Sequence, residues 1–395
     1  GGVRPRRTQE QGREAALRRG GDAHPAAAPP PGDVPILSGF MRVGICAFWF
    51  NRGQGVVARQ LRSALDALGH DTFVLGRPTK ESFPMPQDAR TDDVWAQAGV
   101  TPASNFFIPE EELVGWAADN SLDACFFDQN YEWDAIRGLR GAGVFTIGRF
   151  VWERFSDEHV APTKEAYDLV YSMTKAEQRR YADMGIEAPY IQWGVHPEYE
   201  RYTPNRPTDV VDFHYHAGLL GKRKPFKEVI TAFSETSEPE LRLIVKAQIE
   251  RRMKFLEKAV KKDSRIELVL EDLPTDEHLQ KFADSHVCMA PARWEGLGLH
   301  LYEAIAFGMP IVCNDDAPMN ELVRDGVNGI LVPSHDDGLA NSGIPAKTVD
   351  VPGLALAISR LADPGLRAEL SAGALEMKRE RSWDRTVADV AELLP

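Results

Sequence analysis

Two glutamates with glycines between them are well suited to bind a polar ligand. Glu295 and Glu303 stand eight positions apart in ARWEGLGLHLYEAIAFGMP (292–310), with Gly296 and Gly298 between them. Glycine lets a backbone approach a ligand closely, and the amides that open a helix attract anions. This order suits a molecule with hydroxyls at both ends and phosphate in the middle, such as a nucleotide sugar. A helix capped by one acid with the other on its surface is the alternative.

A cluster of positive charge follows another predicted strand. Lys222, Arg223, Lys224 and Lys227 place four cations within six residues of GLLGKRKPFKEVITAF. Basic groups at a helix N-terminus oppose the helix dipole, which favours an anion between them. Cations placed there can also neutralise a departing diphosphate. A solvated helix start explains this segment equally well.

A glycine-rich turn follows the first predicted strand. In WFNRGQGVVA, Gly53, Gly55 and Ala58 match the G-x-G-x-x-G/A pattern of dinucleotide sites. An NAD site needs an acid after the second strand, whereas VLGRP places Arg77 there, so this alternative is an NADP-dependent oxidoreductase. The turn also suits an anion at a helix N-terminus, or simply a tight connection between strand and helix.

The elements that must position these residues follow the alternation of an α/β protein. Short apolar runs such as RVGICAF, DTFVL, DACFFD and GVFTIG alternate with helical periodicity, which is typical of parallel sheets covered by helices. The connection YIQWGVHPEYERYTPNRPTDV interrupts this alternation, which restarts at VVDFHYHAGLL. The sequence therefore predicts two Rossmann-like, doubly wound parallel-sheet domains facing across a cleft, with ligands at the carboxyl ends of the strands.

The predicted boundaries divide the chain into four parts. Residues 1–40 are rich in Arg, Ala, Gly and Pro and poor in large apolar side chains, which predicts a disordered leader before Met41. We expect the first domain over residues 41–205 and the second over 206–380. The final segment, 381–395, contains the helix WDRTVADVAELL, which can pack against either domain, including back on the first.

Composition argues against several kinds of partner. The chain of 395 residues has a net charge of −13, which disfavours broad contact with nucleic acid or anionic membrane. Its four cysteines lie in apolar stretches, and no apolar run approaches the length of a membrane span, so we expect a cytoplasmic protein with free thiols. His214 and His216 share one strand face, but without a third ligand at motif spacing we expect no metal site.

The segment EGLGLHLYE resembles the E-x7-E motif of the retaining glycosyltransferases of family 4, the glycosyl transferases group 1, which have the GT-B fold. The resemblance continues through PIVCNDDAPMNELVRDGVNGILVP, and GLLGKRKPFKEVITAF is similar to the glycine and lysine motif of that family. It implies transfer of a hexose from a UDP- or GDP-sugar to a hydroxyl of a sugar, glycan or small-molecule acceptor. It also implies retention of configuration at the anomeric carbon, and neither a metal ion nor another cofactor.

The resemblance implies a role for each matching residue. Glu295 would contact the transferred sugar and Glu303 the ribose, while Lys224, helped by Arg223, would stabilise the leaving diphosphate. The other implied donor-binding residues are Gly53, Gly55, Gly218, Lys246, Gly296, Leu297, Gly298 and Leu299. Leu219 stands where many members have a phosphate-binding arginine, so a nucleotide-sugar-binding protein without turnover is a further alternative.

Two segments of the first domain are candidates for the sugar or acceptor pocket. IGRFVWERF resembles a subgroup with Trp-Glu at this position, which implies that Arg149, Trp152 and Glu153 line the pocket. A packing or capping role for Glu153 is the alternative. DQNYEW follows a predicted strand, and its Asp128 and Asn130 can hydrogen-bond a sugar acceptor or can serve only to pack the loop.

Overall fold

The computed structural model describes residue 1, residues 39–83 and residues 85–395. Of the predicted leader, only residues 1, 39 and 40 are described, and the rest lies outside the described residues. No helix in the described ranges has both the length and the apolar character needed to cross a bilayer.

The first sheet is formed by six parallel strands in the order β3-β2-β1-β4-β5-β6. Its strands are β1 (Arg42–Phe48), β2 (Asp71–Arg77), β3 (Val100–Pro102), β4 (Ala124–Asp128), β5 (Phe145–Arg149) and β6 (Leu169–Val170). The first strand coincides with the apolar run RVGICAF, as expected for a strand covered on both faces.

The second sheet repeats this topology with six parallel strands in the order β12-β11-β10-β7-β8-β9. Its strands are β7 (Val211–Gly218), β8 (Leu241–Ala247), β9 (Ile266–Leu270), β10 (Val287–Met289), β11 (Ile311–Asn314) and β12 (Gly329–Val332). The predicted fold class, two doubly wound parallel sheets, is confirmed. The first sheet with its helices forms the first half of the molecule, and the second sheet with its helices forms the second half.

Twelve α-helices in the described ranges accompany the sheets. They are α1 (Gly53–Ala67), α2 (Glu110–Asp119), α3 (Trp133–Gly141), α4 (Val160–Ala166), α5 (Lys175–Asp183), α6 (Phe226–Ser234), α7 (Lys254–Lys262), α8 (Thr275–Ala283), α9 (Leu299–Ala306), α10 (Val351–Arg360), α11 (Pro364–Glu380) and α12 (Trp383–Ala391). An antiparallel hairpin, which the sequence patterns did not predict, is formed by β13 (Ser334–Leu339) and β14 (Pro345–Val349).

One apolar cluster is continuous from the first half to the second. It includes Val57 and Leu61 of α1 together with Leu301 and Ile305 of α9, all nearly inaccessible to solvent. Because these two helices belong to different sheets, their packing brings the glycine turn before α1 close to the loop before α9. Both turns lie at the carboxyl ends of strands, where ligands of doubly wound sheets bind.

The chain passes between the halves twice, and the two passages lie side by side. The amide of Val195, in the first passage, donates to the carbonyl of Arg381, in the second, at 2.8 Å. After the second passage, α12 packs on the first half, where the rings of Trp193 and Trp383 meet edge to face with centroids 5.1 Å apart. The final helix therefore anchors the end of the second half to the first.

Candidate active site

Glu295 follows β10 and lies in the loop that leads to α9, where it contacts the cation cluster that follows β7. These two strands are hydrogen-bonded neighbours, so their carboxyl ends share one edge of the sheet. Lys224 Nζ donates to Glu295 Oε2 at 2.5 Å, and Arg223 Nη1 donates to Oε1 at 2.9 Å. The amide of Arg293 donates to the carbonyl of Arg223 at 2.8 Å, which ties the two loops together.

We call Glu295, Arg223 and Lys224 the Glu295 cluster. The pKa of each of these three groups is shifted from its ordinary value. Burial acts to raise the pKa of Glu295, but Arg223 and Lys224 outweigh it and hold that pKa well below its usual range. Burial lowers the pKa of Lys224; Glu295 acts against this shift, whereas the like charge of Arg223 adds to it. Arg223 has a raised pKa, chiefly because of Glu295. The carboxylate is therefore ionised at neutral pH.

The first half covers the cluster with residues that follow β5. Trp152 Nε1 donates to the carbonyl of Glu295 at 2.7 Å, and Arg223 Nη1 lies 3.4 Å from Glu153 Oε1. A Cβ atom on Gly296 would stand 2.6 Å from Val151 Cγ1, so only glycine fits under this loop. Trp152 and Glu153 thus lie next to Glu295, as expected for residues that line a pocket around it.

The loop between Glu295 and α9 is short and buried, and two of its three residues are glycine. Gly298 has φ +77° and caps α9 in the left-handed region that favours glycine. Leu299 begins the helix, and a Cβ atom on Gly53 of the first half would lie 3.8 Å from Leu299 Cδ1. Leu297, which lies between Gly296 and Gly298 in the sequence, is buried. The start of α9, whose first amides have no partner within the helix, therefore lies beside the glycine turn of the first half, an arrangement suited to phosphate.

Glu303 lies on α9 in surroundings unlike those of Glu295. Its carboxylate makes no hydrogen bond or ion pair with any residue among those described. Burial raises the pKa of Glu303 to about 8, and Glu198 adds to the increase. Burial lowers the pKa of His300, on the same helix, to about 3, and the positive charge of Lys224 contributes to this decrease. The acid is thus left without a protein partner of opposite charge.

Lys246 and Gly218 lie at the ends of neighbouring strands, but only Gly218 is open to an approaching ligand. The Lys246 ammonium donates to the carbonyls of Ala247 at 2.8 Å and Glu271 at 2.5 Å. The expectation of a free cation beside the phosphates is therefore corrected, because this ammonium is buried and bound to backbone. Gly218, with φ +55°, has open space where a Cβ would stand, so a ligand can approach it.

Arg149 belongs to a buried ionic network instead of an open pocket. Its guanidinium lies 3.5 Å from Asp128 Oδ1 and 3.4 Å from Glu177 Oε1, and it is 2% exposed. Burial acts to lower the pKa of Arg149, but Glu177 and Asp128 outweigh it and raise that pKa. The predicted pocket positions of Arg149 and Asp128 are corrected, because in this structure each charge is met inside the first half.

Asn130 and Arg77 are also tied to the interior of the first half. Asn130 Nδ2 donates to Cys46 Sγ at 3.3 Å, which favours the loop-packing interpretation. Arg77 is fully buried, and its two terminal nitrogens donate to the carbonyls of Gln129 and Asp128 at 3.0 and 3.1 Å. A guanidinium held in this way is not free to bind the 2′-phosphate of NADP, so the residue that favoured NADP over NAD already has partners inside the first half.

Gly55 is required by packing, whatever ligand the turn binds. A Cβ atom there would stand 2.2 Å from the carbonyl oxygen of Phe50. The glycine pattern after β1 therefore arises at least in part from a tight connection between strand and helix, the interpretation that the sequence left open.

Two contacts between the halves had no role in the sequence interpretation. Glu321 accepts hydrogen bonds from the amides of Lys175 and Ala176, both at 2.7 Å, at the start of α5. Arg52 Nη1 pairs with Asp272 Oδ2 at 3.1 Å. The glutamate lies within the segment that resembles group 1 glycosyltransferases, but only the fold shows which amides it meets.

Comparison with known families supports the sequence resemblance. Residues 212–344 match the family described as glycosyl transferases group 1, a range that covers most of the second sheet and the whole Glu295 loop. The resemblance to this family is thereby confirmed over that range. A D-inositol 3-phosphate glycosyltransferase of Acidothermus cellulolyticus is 36% identical over 118 residues, which are 30% of this chain and 23% of that protein. The chain thus spans under a quarter of that curated relative.

Solved structures extend the likeness to both halves at the level of the fold. A sucrose-phosphate synthase from Thermosynechococcus elongatus is similar with a TM-score of 0.65 and 18% identity, covering 89% of this chain and 98% of that one. Anabaena Alr3699/HepE in complex with UDP-glucose is similar with a TM-score of 0.63 and 15% identity, covering 90% and 98%. The GT-B architecture expected from the sequence is confirmed.

Proposed function

We propose that the protein is a retaining glycosyltransferase that moves a hexose from a nucleotide-diphosphate sugar to a hydroxyl of a sugar, glycan or small-molecule acceptor. The observation that carries the proposal is the Glu295 cluster, in which Lys224 and Arg223 converge on one carboxylate at a strand edge. The amides that open α9 stand beside it. Acid, amides and cations are the groups that a sugar diphosphate needs.

In this proposal, the cations of the Glu295 cluster receive the diphosphate. Lys224 and Arg223 are held by a carboxylate that also suits sugar hydroxyls, so donor binding exchanges one set of anionic partners for another. As the bond from the anomeric carbon to the diphosphate oxygen breaks, both cations stabilise the negative charge that develops there. Charge compensation thus comes from side chains, and the proposed step uses no metal ion.

The acceptor oxygen attacks the anomeric carbon from the face that the diphosphate leaves, and its proton passes to the departing phosphate oxygen. Retention of configuration in this scheme comes from the resemblance to family 4. Trp152 and Glu153 of the first half lie against the Glu295 loop, so we assign them to the sugar and acceptor side of the cleft.

UDP-glucose is the first donor to test, because the structurally similar Anabaena protein is in complex with it. The proposal is tested by thermal shift with UDP, GDP, ADP and their sugars in the presence of a chelator. A nucleotide that binds only the folded protein stabilises it by about 2.7 kcal/mol at a hundredfold excess over its Kd. We expect one of the three nucleotides to stabilise the protein, and its sugar to be transferred or slowly hydrolysed.

The mutation that accompanies this screen is Glu295→Gln. It should leave nucleoside diphosphate binding in place and remove turnover, because the carboxylate faces the sugar. Stabilisation by NADP but by none of the three nucleotides would return the protein to the oxidoreductase class. Binding of a nucleotide sugar without transfer to any of a panel of acceptors, and without hydrolysis, would identify a binding protein.

A further inference from the structure

A second cluster of ligand-type atoms lies at the Glu303 end of the same sheet edge. His216 at the end of β7, His278 on α8 and Glu303 on α9 each offer one nitrogen or oxygen, and these atoms all lie within 4.8 Å of one another. The three elements that carry them belong to the second half alone. The cluster therefore exists whether the cleft is open or closed.

Each of the two histidines has one ring nitrogen that is withdrawn from solvent and has no hydrogen-bond partner among the described residues, Nε2 of His216 and Nδ1 of His278. A buried polar atom without a partner is costly, so a native site that leaves two such atoms close together calls for a ligand. The proposed sugar donor accounts for Glu303 through its ribose, but it leaves both imidazoles unexplained.

We propose that His216, His278 and Glu303 form a binding site for zinc, and that zinc bound there excludes the nucleotide donor. The second part rests on the proposed function, which assigns Glu303 to the ribose. Two imidazole nitrogens and one carboxylate oxygen are a known ligand set for this ion, with further positions left to water. Imidazole nitrogen also selects zinc and its neighbours over magnesium and calcium.

The arrangement needs small adjustments to take the ion. Ligand atoms around tetrahedral zinc stand roughly 3.4 Å apart, since each bond is about 2.1 Å long. Side-chain rotation must therefore draw the three atoms inward from their present limit of 4.8 Å. The rings can supply this rotation, because neither of the two unpartnered nitrogens has a hydrogen bond to lose.

The structure corrects the pairing considered from the sequence alone. His214 and His216 do share a strand face, with ring centroids 4.9 Å apart, but Nδ1 of His214 meets Ser285 Oγ at 3.2 Å. The imidazole that joins His216 in the cluster is His278, whose ring centroid lies 5.2 Å away. The third ligand, which motif spacing could not supply, comes from a helix later in the chain.

Charges around the site limit its affinity. The Lys246 ammonium acts on His278 and opposes a dication, whereas Asp272 acts in the opposite sense. The ammonium is fixed by two carbonyls and cannot swing away. Replacing it with an uncharged side chain of similar length, Lys246→Met, should therefore tighten zinc binding.

The test measures zinc directly on the full chain without a histidine tag. Competition with a chromophoric zinc chelator should show one ion per chain. His216→Asn, His278→Ala and Glu303→Gln should each weaken binding by at least about tenfold, since even loss of a group that only orients a ligand costs that much. The matched control is His335→Ala, an exposed histidine of β13 that should leave zinc affinity unchanged.

Cobalt provides a measurement that needs no variant to fold. Co²⁺ added to the wild-type protein should give the intense visible bands of a low-coordinate site with nitrogen ligands, and zinc should displace them. Absence of these bands, zinc binding no tighter than in the His216→Asn/His278→Ala double variant, or equal loss in the His335→Ala control would overturn the site.

Exclusion of the donor is measured separately. The Kd of UDP, or of whichever nucleotide stabilises the protein, should rise with added zinc and return with a chelator. Nucleotide binding without zinc binding overturns this inference and leaves the proposed function intact. Zinc binding without nucleotide binding leaves the zinc site intact and overturns the proposed transferase function. Simultaneous binding of both overturns the exclusion.

Discussion

Glu295 and Glu303 lie eight residues apart beside the carboxyl ends of the second sheet's strands, but their electrostatic surroundings are opposite. Glu295 is held by two cations, and its pKa is well below the usual range. Glu303 has no partner among the described residues, and burial raises its pKa to about 8. In the proposed function, the cations around Glu295 exchange this carboxylate for the donor diphosphate, whereas Glu303 gains its first partner only when a ligand binds.

The largest effect should come from removing the buried cation at the Glu295 end. Lys224→Met should lower kcat about 10²- to 10³-fold, because one preorganised group that meets developing charge contributes that much. Lys227→Met is the matched control, since Lys227 lies on α6 with its side chain exposed, whereas Lys224 is the lysine that contacts Glu295. Steady-state transfer assays measure kcat for both variants and for the wild-type protein. Equal rates for the two variants would mean that Glu295 does not mark the reacting end.

Alkaline pH offers a second way to remove the same charge. Burial lowers the pKa of Lys224, so its ammonium should lose its proton at a lower pH than an ordinary lysine. The transfer rate should therefore fall at alkaline pH, by about tenfold for each unit above this pKa. Lys224→Arg keeps its charge throughout this range, so its residual activity should lack the alkaline fall. An unchanged profile in this variant would assign the fall to another group.

A smaller effect should follow at the other end. Glu303→Gln should raise KM for the donor about tenfold, equivalent to about 1.4 kcal/mol, because its hydrogen bonding to the ribose is weakened. Its kcat should stay within about twofold of wild type, since Glu303 is proposed to touch the ribose and not the reacting carbon. Initial rates at varied donor concentration, with a chelator present, separate the two constants. A fall in kcat with unchanged KM would break the distinction between the ends.

The smallest effect should come from Arg223. Its side chain is 40% exposed, so its pairs with Glu295 and Glu153 are weakened by solvent. Arg223→Gln should lower kcat by about two- to fivefold, consistent with the modest energies of exposed pairs. The comparison with Lys224→Met in the same assay tests whether burial, and not charge alone, sets the contribution. A loss as large as that of Lys224→Met would reject this ranking.

The parallel strands were predictable because burial on both faces leaves a clear mark on sequence. RVGICAF forms β1, and DTFVL lies within β2. The hairpin β13–β14 carries no such mark, because β13 reads SHDDGL and is mostly exposed. Its register shifts near Gly338 of β13, which has φ +77°, and its turn contains Gly343, which has φ +81°. Apolar patterning indicates neither feature.

The parts of the site were predictable as strand-end residues, whereas their contacts depended on topology. Lys224 and Glu295 are 71 residues apart, and they meet because β7 pairs with β10. Arg149 also follows the pattern of a charged strand end, but Glu177, 28 residues later, neutralises it. No local pattern distinguishes a charge that awaits a ligand from one that has a partner inside the fold.

The paired passages between the halves determine how the molecule can move. With the Val195 amide bonded to the Arg381 carbonyl, the two links form one narrow axis instead of two separate attachments. A Cβ atom on Gly194 would stand 2.6 Å from the carbonyl oxygen of Ser382, so this axis is tightly packed. Bodies joined along such a line can rotate about it as a hinge. We expect product release to require opening about this line, which would also break the Arg52–Asp272 pair and the contacts of Glu321 with α5.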